Sequence, residues 1–176
     1  MSERKRTQTK GLKSTSVVRE LKAGSGLDGC RVTAEAAKAA VKASENALRH
    51  LGDSASARLR IAKAKTVDKD LLAECIRHDH QCKGLSAAAA ESGRGDDRSK
   101  KDRRSIATAS AVRVFATGCP LGKGSNRIRG SARDAMSAIT EAYVRQLGLD
   151  SARYAKAAGR RTIKSGDISA VIAQRN

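Results

Sequence analysis

One sequence pattern occurs twice in this chain, and this internal repeat constrains the fold more than any other feature. The stretch 31–76 returns 96 positions later, without a gap, as the stretch 127–172. A motif of the form Glu-x3-Arg-x-Leu-Gly begins at Glu45 and again at Glu141. Many positions expected to face inward are alanine, so one unit alone would bury little apolar surface. We therefore expect one helical unit to occur twice and the two copies to pack together as a pseudo-dimer. Other matched pairs are Arg31 with Arg127, Ala36 with Ala132, Thr66 with Thr162, and Ile76 with Ile172.

The charge of the chain points to a polyanionic partner. Lys and Arg number 36 against 18 Asp and Glu, which gives a formal net charge of +18. Such a field attracts nucleic acids or anionic surfaces. The aromatic residues are only Phe115, Tyr143 and Tyr154, whereas modules that bind single strands stack bases on aromatic side chains. The composition therefore favours phosphate binding on double-stranded DNA.

The sequence also argues against a membrane protein and against an enzyme. No run approaches the roughly 18 apolar residues of a spanning helix, and the basic N-terminus lacks the apolar core of a signal peptide. The glycine-rich stretches near 24 and 118–124 do not form a phosphate-binding loop motif, and no nucleophile, base and acid form a set. We expect no catalytic site and no cofactor. Four cysteines without a regular framework indicate a reducing, intracellular setting.

Hydrophobic spacing and turn residues divide the chain into two units and a linker. Residues 1–13 are predicted to be a basic disordered tail, 14–82 the first unit, 83–105 a charged linker rich in Gly and Ser, and 106–176 the second unit. Each unit is predicted to contain a short, a long and a short helix. The expected helices span about 15–23, 34–63 and 68–78 in the first unit, and about 108–116, 130–158 and 164–174 in the second.

The repeated motif predicts details of the long helices. Its Glu and Arg are four residues apart, which predicts ion pairs between Glu45 and Arg49 and between Glu141 and Arg145. The glycine that ends each motif costs about 1 kcal/mol relative to alanine inside a helix. We therefore expect another backbone to pack closely against each glycine, or each helix to bend there.

This order of helices and loops resembles the histone fold, over nearly everything outside the tail and linker. The loop strings carry the resemblance: Ala62-Lys63-Ala64-Lys65-Thr66-Val67 in the first unit, and Arg161-Thr162-Ile163 followed by Asp167-Ile168 in the second. The resemblance implies an all-α protein in which two tandem histone folds pack as an intramolecular pseudo-heterodimer. As two fused copies, the chain is similar to the histone doublets of giant viruses and, less closely, to tandem archaeal histones.

The resemblance to individual core histones leaves two pairings open. The stretch 14–22 looks like the first helix of histone 2B, and 111–128 looks like histone 2A. The stretch 131–144 looks more like histone 3, which would make the first half similar to histone 4. A shortened 2B–2A pair is the favoured interpretation. Two departures stand out: the chain has no 2A-like docking extension after Asn176, and Leu71 stands where the second unit has Asp167.

In histones, the arginine of one loop meets the threonine of the facing loop at a DNA-binding edge. The resemblance therefore implies minor-groove arginines at 31 and 127 and phosphate contacts from the adjacent loop cations, with solvated charges as the alternative. The threonine hydroxyls are expected either to hold the facing arginine or to cap the following helix. The basic tail is expected to add salt-sensitive phosphate binding or only solubility. The predicted DNA-binding residues are Arg31, Lys65, Thr66, Arg127, Arg129, Arg160, Arg161 and Thr162, with Arg4, Lys5 and Arg6 in the tail.

Two further clusters have competing interpretations. Cys75, His78, His80 and Cys82 are residue types that bind zinc, but they fall within one short stretch at a helix end, so an ordinary helix end is favoured and no metal is expected. The resemblance also implies assembly with other histone doublets. Candidate interface residues are Arg160, Asp167 and Ile168, with intramolecular packing as an equal alternative.

The resulting hypothesis is a structural protein that wraps and compacts double-stranded DNA in nucleosome-like particles without sequence specificity. Its expected partners are duplex DNA and complementary doublets of the histone 4–histone 3 type, and no membrane. Its expected location is intracellular and chromatin-like: a virion, viral factory or host nucleus if the protein is viral. The alternative is a histone-fold subunit of a transcription-regulatory complex that uses the fold mainly for protein partners.

Overall fold

The computed structural model describes residues 11–93, 104–121 and 126–175. All six predicted helices are present within these residues, and a seventh short helix was not predicted. The strands are two residues long and occur only in the loops. In chain order the elements are α1 (Ser14–Ser25), β1 (Arg31–Val32), α2 (Ala34–Ile61), β2 (Thr66–Val67), α3 (Lys69–His78), a 3-10 turn (His80–Cys82), α4 (Ala87–Glu91), α5 (Thr108–Phe115), β3 (Arg127–Ile128), α6 (Gly130–Ala157), β4 (Thr162–Ile163) and α7 (Ser165–Arg175).

Local sequence signals set the ends of the helices in the first unit. The hydroxyl of Thr33 accepts the amide of Ala36 at 3.1 Å and begins α2. The carboxylate of Asp68 accepts the amide of Leu71 at 2.9 Å and begins α3. Gly26 ends α1 in the left-handed conformation, φ 61°, which glycine adopts without a steric penalty. None of the helices in the described ranges is long and apolar enough to span a bilayer.

The two units interlock because each short first helix crosses the long helix of the other unit. A Cβ added at Gly148 of α6 would overlap the carbonyl of Leu21 in α1. A Cβ added at Gly52 of α2 would overlap the carbonyl of Phe115 in α5. The predicted close backbone packing at both motif glycines is therefore confirmed. Two crossings related by the repeat join the units into one body.

A second glycine contributes to each crossing from the opposite side. Gly24, near the end of α1, lies against the backbone of Arg145. Gly118, just after α5, lies against the backbone of Arg49. Each crossing thus uses glycine on both partners, which lets the two backbones approach more closely than side chains would allow. The core that results is continuous across both units, and Leu21, Leu51, Phe115, Ile139 and Leu147 are all inaccessible to solvent.

The glutamate of each motif fixes the chain that precedes the first helix of its own unit. Oε1 of Glu45 accepts the amide of Leu12 at 2.9 Å. Oε1 of Glu141 accepts the amide of Ile106 at 3.0 Å. Leu12 and Ile106 are both buried. Leu12 is thus packed although it lies in the predicted disordered tail, whose residues 1–10 are outside the described part of the chain.

Only one of the two predicted ion pairs within the long helices forms. Arg49 contacts Glu45 at 3.4 Å, as predicted. Arg145 instead contacts Glu20 of α1 at 2.6 Å, and Glu141 contacts Arg104 at 3.6 Å. Glu20 is only 3% exposed, and a buried carboxylate needs a nearby cation. The prediction for Glu141 and Arg145 was wrong because the crossing of α1 over α6 supplies a different partner.

The predicted linker begins with structure. Its helix α4 starts at the hydroxyl of Ser86, which accepts the amide of Ala89 at 3.2 Å. Glu91 pairs with Arg77, and its carbonyl accepts a hydrogen bond from Lys69 Nζ at 3.2 Å. These contacts hold α4 against α3, while its far side packs on α6. The first part of the predicted linker is therefore packed, and so are its last two residues, since Arg104 pairs with Asp134 and Ser105 donates to Glu20. Residues 94–103 lie outside the described part of the chain.

Candidate nucleic-acid interface

Strands β1 and β4 join the first loop of one unit to the second loop of the other. They pair in parallel, with Arg31 opposite Thr162 and Val32 opposite Ile163. The amide of Arg31 donates to the carbonyl of Arg161 at 3.0 Å. Ile163 is fully buried, and successive side chains of a strand point to opposite faces, so the residues on either side of it point outward. We call this arrangement of 31–33 and 160–164 the first loop pair.

The pseudo-symmetric arrangement occurs at the other end of the molecule. Strands β2 and β3 pair in parallel, with Thr66 opposite Arg127 and Val67 opposite Ile128. The amide of Arg127 donates to the carbonyl of Lys65 at 2.6 Å. Val67 is fully buried and takes the place of Ile163. We call this arrangement of 63–68 and 127–129 the second loop pair. Both juxtapositions of arginine with threonine match what the histone resemblance implies.

Each loop pair presents a group of exposed cations. At the second loop pair, Arg129 lies 3.9 Å from Asp68 but keeps a side chain that is 67% exposed. No other cation of the loop pairs, apart from Arg160, forms an ion pair within the described ranges. The exposed cations are Arg31, Arg161 and Lys164 at the first loop pair, and Lys63, Lys65, Arg127 and Arg129 at the second. The predicted tail residues Arg4, Lys5 and Arg6 lie outside the described part of the chain.

The two loop threonines have neither of their predicted hydrogen-bonding roles. Asp68, and not Thr66, caps α3. In the second unit, Oδ2 of Asp167 accepts the amide of Lys164 at 2.8 Å and so closes the start of α7. Within the described ranges, neither Thr66 nor Thr162 forms a side-chain hydrogen bond to the facing arginine. Both threonines are half-buried beside that arginine, and their place in the site is set by the backbone pairing.

Arg160 lies in the first loop pair but its guanidinium is engaged within the chain. It donates to Asp167 through Nη1 at 3.1 Å and Nη2 at 3.0 Å, and Nη1 also donates to the carbonyl of Thr162 at 2.6 Å. Burial alone would raise the pKa of Asp167, but hydrogen bonds from Arg160 and the Lys164 amide lower it below its ordinary value of 3.8.

The burial of the candidate oligomer-interface residues favours the intramolecular alternative. Ile168 is fully buried inside the chain, and Asp167 is nearly so. Their contacts are with the chain itself, so Arg160, Asp167 and Ile168 fit the intramolecular alternative. Phosphate binding by Arg160 is also disfavoured. The guanidinium would have to leave Asp167, and that nearly buried carboxylate would then have no cation beside it.

The first unit has no equivalent of this ion pair. Ala64 and Leu71 stand at the positions of Arg160 and Asp167. Lys63 adopts a left-handed conformation with φ 51°, at the position where the second unit has Gly159 with φ 66°. The second loop pair thus carries a lysine at a position that ordinarily favours glycine. The two loop pairs therefore carry different side chains, although their backbones are related by the repeat.

The Cys and His cluster does not converge on a common point. Cys75 and Cys82 are buried, whereas His78 and His80 are exposed. Burial raises the pKa of the Cys82 thiol to about 12, and it also raises the pKa of Cys75. Zinc binds thiolates, which these surroundings disfavour. In the ranges that the structure describes, no three His, Cys, Asp or Glu side chains form a group that could hold a metal.

Two grooves related by the repeat lie between the end of a long helix and the last helix of the same unit. The first, of about 690 Å³, is lined by Ile61, Leu71 and Glu74 among others. The second, of about 460 Å³, is lined by Tyr154 and Val171 among others. Ile61 is 84% exposed at the rim of the first groove. We call these the first and second end grooves.

Comparisons with known proteins agree with this architecture. Residues 121–172 match the family model described as histone-like transcription factor (CBF/NF-Y) and archaeal histone. The crystal structure of the histone from Methanopyrus kandleri superimposes with a TM-score of 0.64 and 16% sequence identity, covering 89% of this chain and 90% of that one. No curated protein matches the sequence significantly. Because neither unit alone makes up 89% of the chain, the structural match includes both, and the chain has an all-α tandem histone fold.

Proposed function

We propose that this protein binds double-stranded DNA without sequence specificity and bends and compacts it in nucleosome-like particles. The observation that carries the proposal is the presence of an exposed arginine, beside a threonine of the other unit, in each loop pair. A net charge of +18 supports the same partner. The similarity to an archaeal histone supports a histone-like role as well.

The positions of the loop pairs suggest how the duplex is held. One pair precedes α2 and the other follows it, and α2 has 28 residues, a length of about 42 Å at 1.5 Å per residue. A duplex that contacts both pairs must therefore follow the protein surface for more than one helical turn, about 34 Å. Arginines inserted where the minor groove faces inward, with lysines on the flanking phosphates, offset the cost of bending.

We further propose that the protein assembles with complementary doublets of the histone 4–histone 3 type. The first end groove supports this idea, because Ile61 is 84% exposed at its rim. The second end groove has the half-buried ring of Tyr154 in the corresponding place. Arg160, Asp167 and Ile168 are not part of this surface. By the same resemblance, we propose a chromatin-like intracellular location: a virion, viral factory or host nucleus if the source is viral.

A second candidate function is a subunit of a transcription-regulatory complex. The matched family description includes histone-like transcription factors as well as archaeal histones. Such a subunit would use the fold for protein partners, and its loop arginines would not determine DNA affinity. Cations exposed on both loop pairs favour the DNA-packaging role.

The dependence of duplex binding on salt separates the two functions. Each phosphate contact contributes about 0.9 to the slope of log K against log salt. For the double variant Arg31→Ala, Arg127→Ala, we expect the magnitude of this slope to be smaller by about 2. The decrease should be the same on duplexes of different sequence. Arg153→Ala, which removes an exposed arginine outside both loop pairs, is the matched control. If both variants have the slope of the unmodified protein, the loop arginines do not bind DNA and the regulatory role is the better account.

A further inference from the structure

A third groove, of about 700 Å³, is distinct from the end grooves and from the loop pairs. It is bordered by α2, by the 3-10 turn and Lys83 that follows it, and by α7. Ala39, Ala43 and Ala47 of α2 line it on one helical face. Gly52, where α5 crosses, is nine residues after Ala43, and nine steps of about 100° place it on the opposite face. No residue of either loop pair lines this groove.

The lining of the groove carries positive charge without any acidic residue. Lys42 and Lys83 are exposed at its rim, and neither forms an ion pair within the described ranges. His50 and His80 add two exposed imidazole donors, although His80 also lies 3.8 Å from Asp79 outside the groove. The groove therefore attracts anionic groups and repels other basic surfaces of the same protein.

The guanidinium of Arg175 lines the wall of the groove, and only some of its N–H groups have a hydrogen-bond acceptor. It lies over the ring of Tyr143, 5.2 Å from the centroid, and its Nη2 donates to Asp150 at 2.7 Å. Its Nη1 is buried near Gly84 and has no acceptor among the described residues. A buried donor without an acceptor is uncommon in proteins. Because this atom is closed to solvent, an incoming carboxylate would reach it only if the Arg175 side chain turned toward the groove.

The floor of the groove is apolar. It consists of the three alanines of α2 together with Ile172 and the ring of Tyr143. Its volume falls within the range of pockets that enclose small ligands and peptide side chains, about 300–1,000 Å³. A DNA backbone has no apolar surface to bury against such a floor. A protein segment with a leucine or aromatic anchor between carboxylates matches both floor and rim.

We propose that this groove, here named the cationic groove, binds an acidic segment of a partner protein through a central apolar anchor. The proposal is independent of the proposed DNA-packaging function, because it involves other residues. A partner bound there leaves both loop pairs accessible, so the protein would hold duplex DNA and the acidic segment at the same time.

A labelled peptide tests the proposal. The probe is a synthetic peptide of about 15 residues with glutamates flanking one leucine and one tryptophan, measured by fluorescence anisotropy at about 150 mM salt. The groove variant is Lys42→Glu, Lys83→Glu. The matched control is Lys22→Glu, Lys156→Glu, which changes net charge equally at exposed positions outside the groove. All four lysines are exposed, so circular dichroism should confirm an unchanged fold.

We expect the groove variant to bind the peptide about tenfold more weakly, and the control to change affinity less than about threefold. Replacing the leucine and tryptophan of the peptide with alanine should also weaken binding about tenfold. Equal losses in both variants would overturn the proposal, since binding would then follow overall charge alone. A groove variant that loses affinity for a duplex but not for the peptide would also overturn it, by assigning the groove to DNA.

Discussion

Arg160 and Arg161 are neighbours in sequence but differ in their surroundings. Arg160 is held by both oxygens of Asp167 and by a backbone carbonyl, whereas Arg161 is exposed and is part of the first loop pair. The same residue type therefore serves two purposes at adjacent positions. Arg160 fixes the loop, and under the proposed function Arg161 contacts phosphate.

Single alanine substitutions should separate these roles. Arg160→Ala should lower the urea midpoint of unfolding, because it leaves the nearly buried carboxylate of Asp167 without its cation. Arg161→Ala should leave that midpoint unchanged and reduce the salt slope of duplex binding by about 0.9. The reverse pattern, with Arg160→Ala altering the slope and Arg161→Ala altering stability, would contradict this assignment.

Acidification provides an independent test of the same ion pair. The folded-state pKa of Asp167 is lowered below 3.8, so its stabilising contribution is present above that value and is lost as the pH falls through the folded-state pKa. Asp167→Asn should therefore be less stable than the unmodified protein at neutral pH, and the difference should shrink below pH 3.8. Urea denaturation across this range measures it. A difference that does not vary with pH would rule out the ionised pair.

At the scale of elements, the crossings of short over long helices determine how closely the two units approach. Gly52 and Gly148 each allow a backbone carbonyl of the other unit to lie against the long helix, at points related by the repeat. Glycine inside a helix is costly in itself, by about 1 kcal/mol relative to alanine. Its presence at both equivalent points is explained by the close backbone contact that it permits.

Gly148→Ala should therefore destabilise the protein although it improves helix propensity. Overpacking of this kind costs typically about 1–3 kcal/mol, and alanine recovers about 1 kcal/mol of helix propensity, so urea denaturation should show a net loss of about 1 kcal/mol. Gly166→Ala in α7 is the matched control, because a Cβ there meets nothing within 4 Å. It should be neutral or stabilising. Equal stabilisation by both substitutions would mean that α1 does not pack against α6 at this point.

Helical periodicity predicted these elements well, because each long helix shows apolar spacing over many turns. Periodicity could not identify the partner of Arg145, since Glu20 lies 125 residues away in sequence and meets it only after α1 crosses α6. Helix α4 was missed because its alanines stand in a stretch dominated by charge and glycine. The paired loops were expected from the histone resemblance. The burial of Ile168 could not be predicted from the sequence, because it depends on tertiary packing.

At the scale of the molecule, pseudo-symmetry of the backbone is combined with different chemistry at the two ends. The second unit clamps its loop with Arg160 and Asp167, while the first has Ala64 and Leu71 at those positions. The end grooves also differ, since an exposed Ile61 borders one and Tyr154 borders the other. In the proposed assembly, such asymmetry would let each end bind a different neighbour.

Nuclease protection tests the central claim that the protein wraps DNA through its loop pairs. The protein would be reconstituted on long DNA of random sequence, alone and with a histone 4–histone 3 type doublet, and digested with micrococcal nuclease. We predict discrete protected fragments that disappear in the variant Arg31→Ala, Arg127→Ala. A smear in every mixture, with binding lost at moderate salt, would show that the protein only coats DNA and would contradict the proposed function.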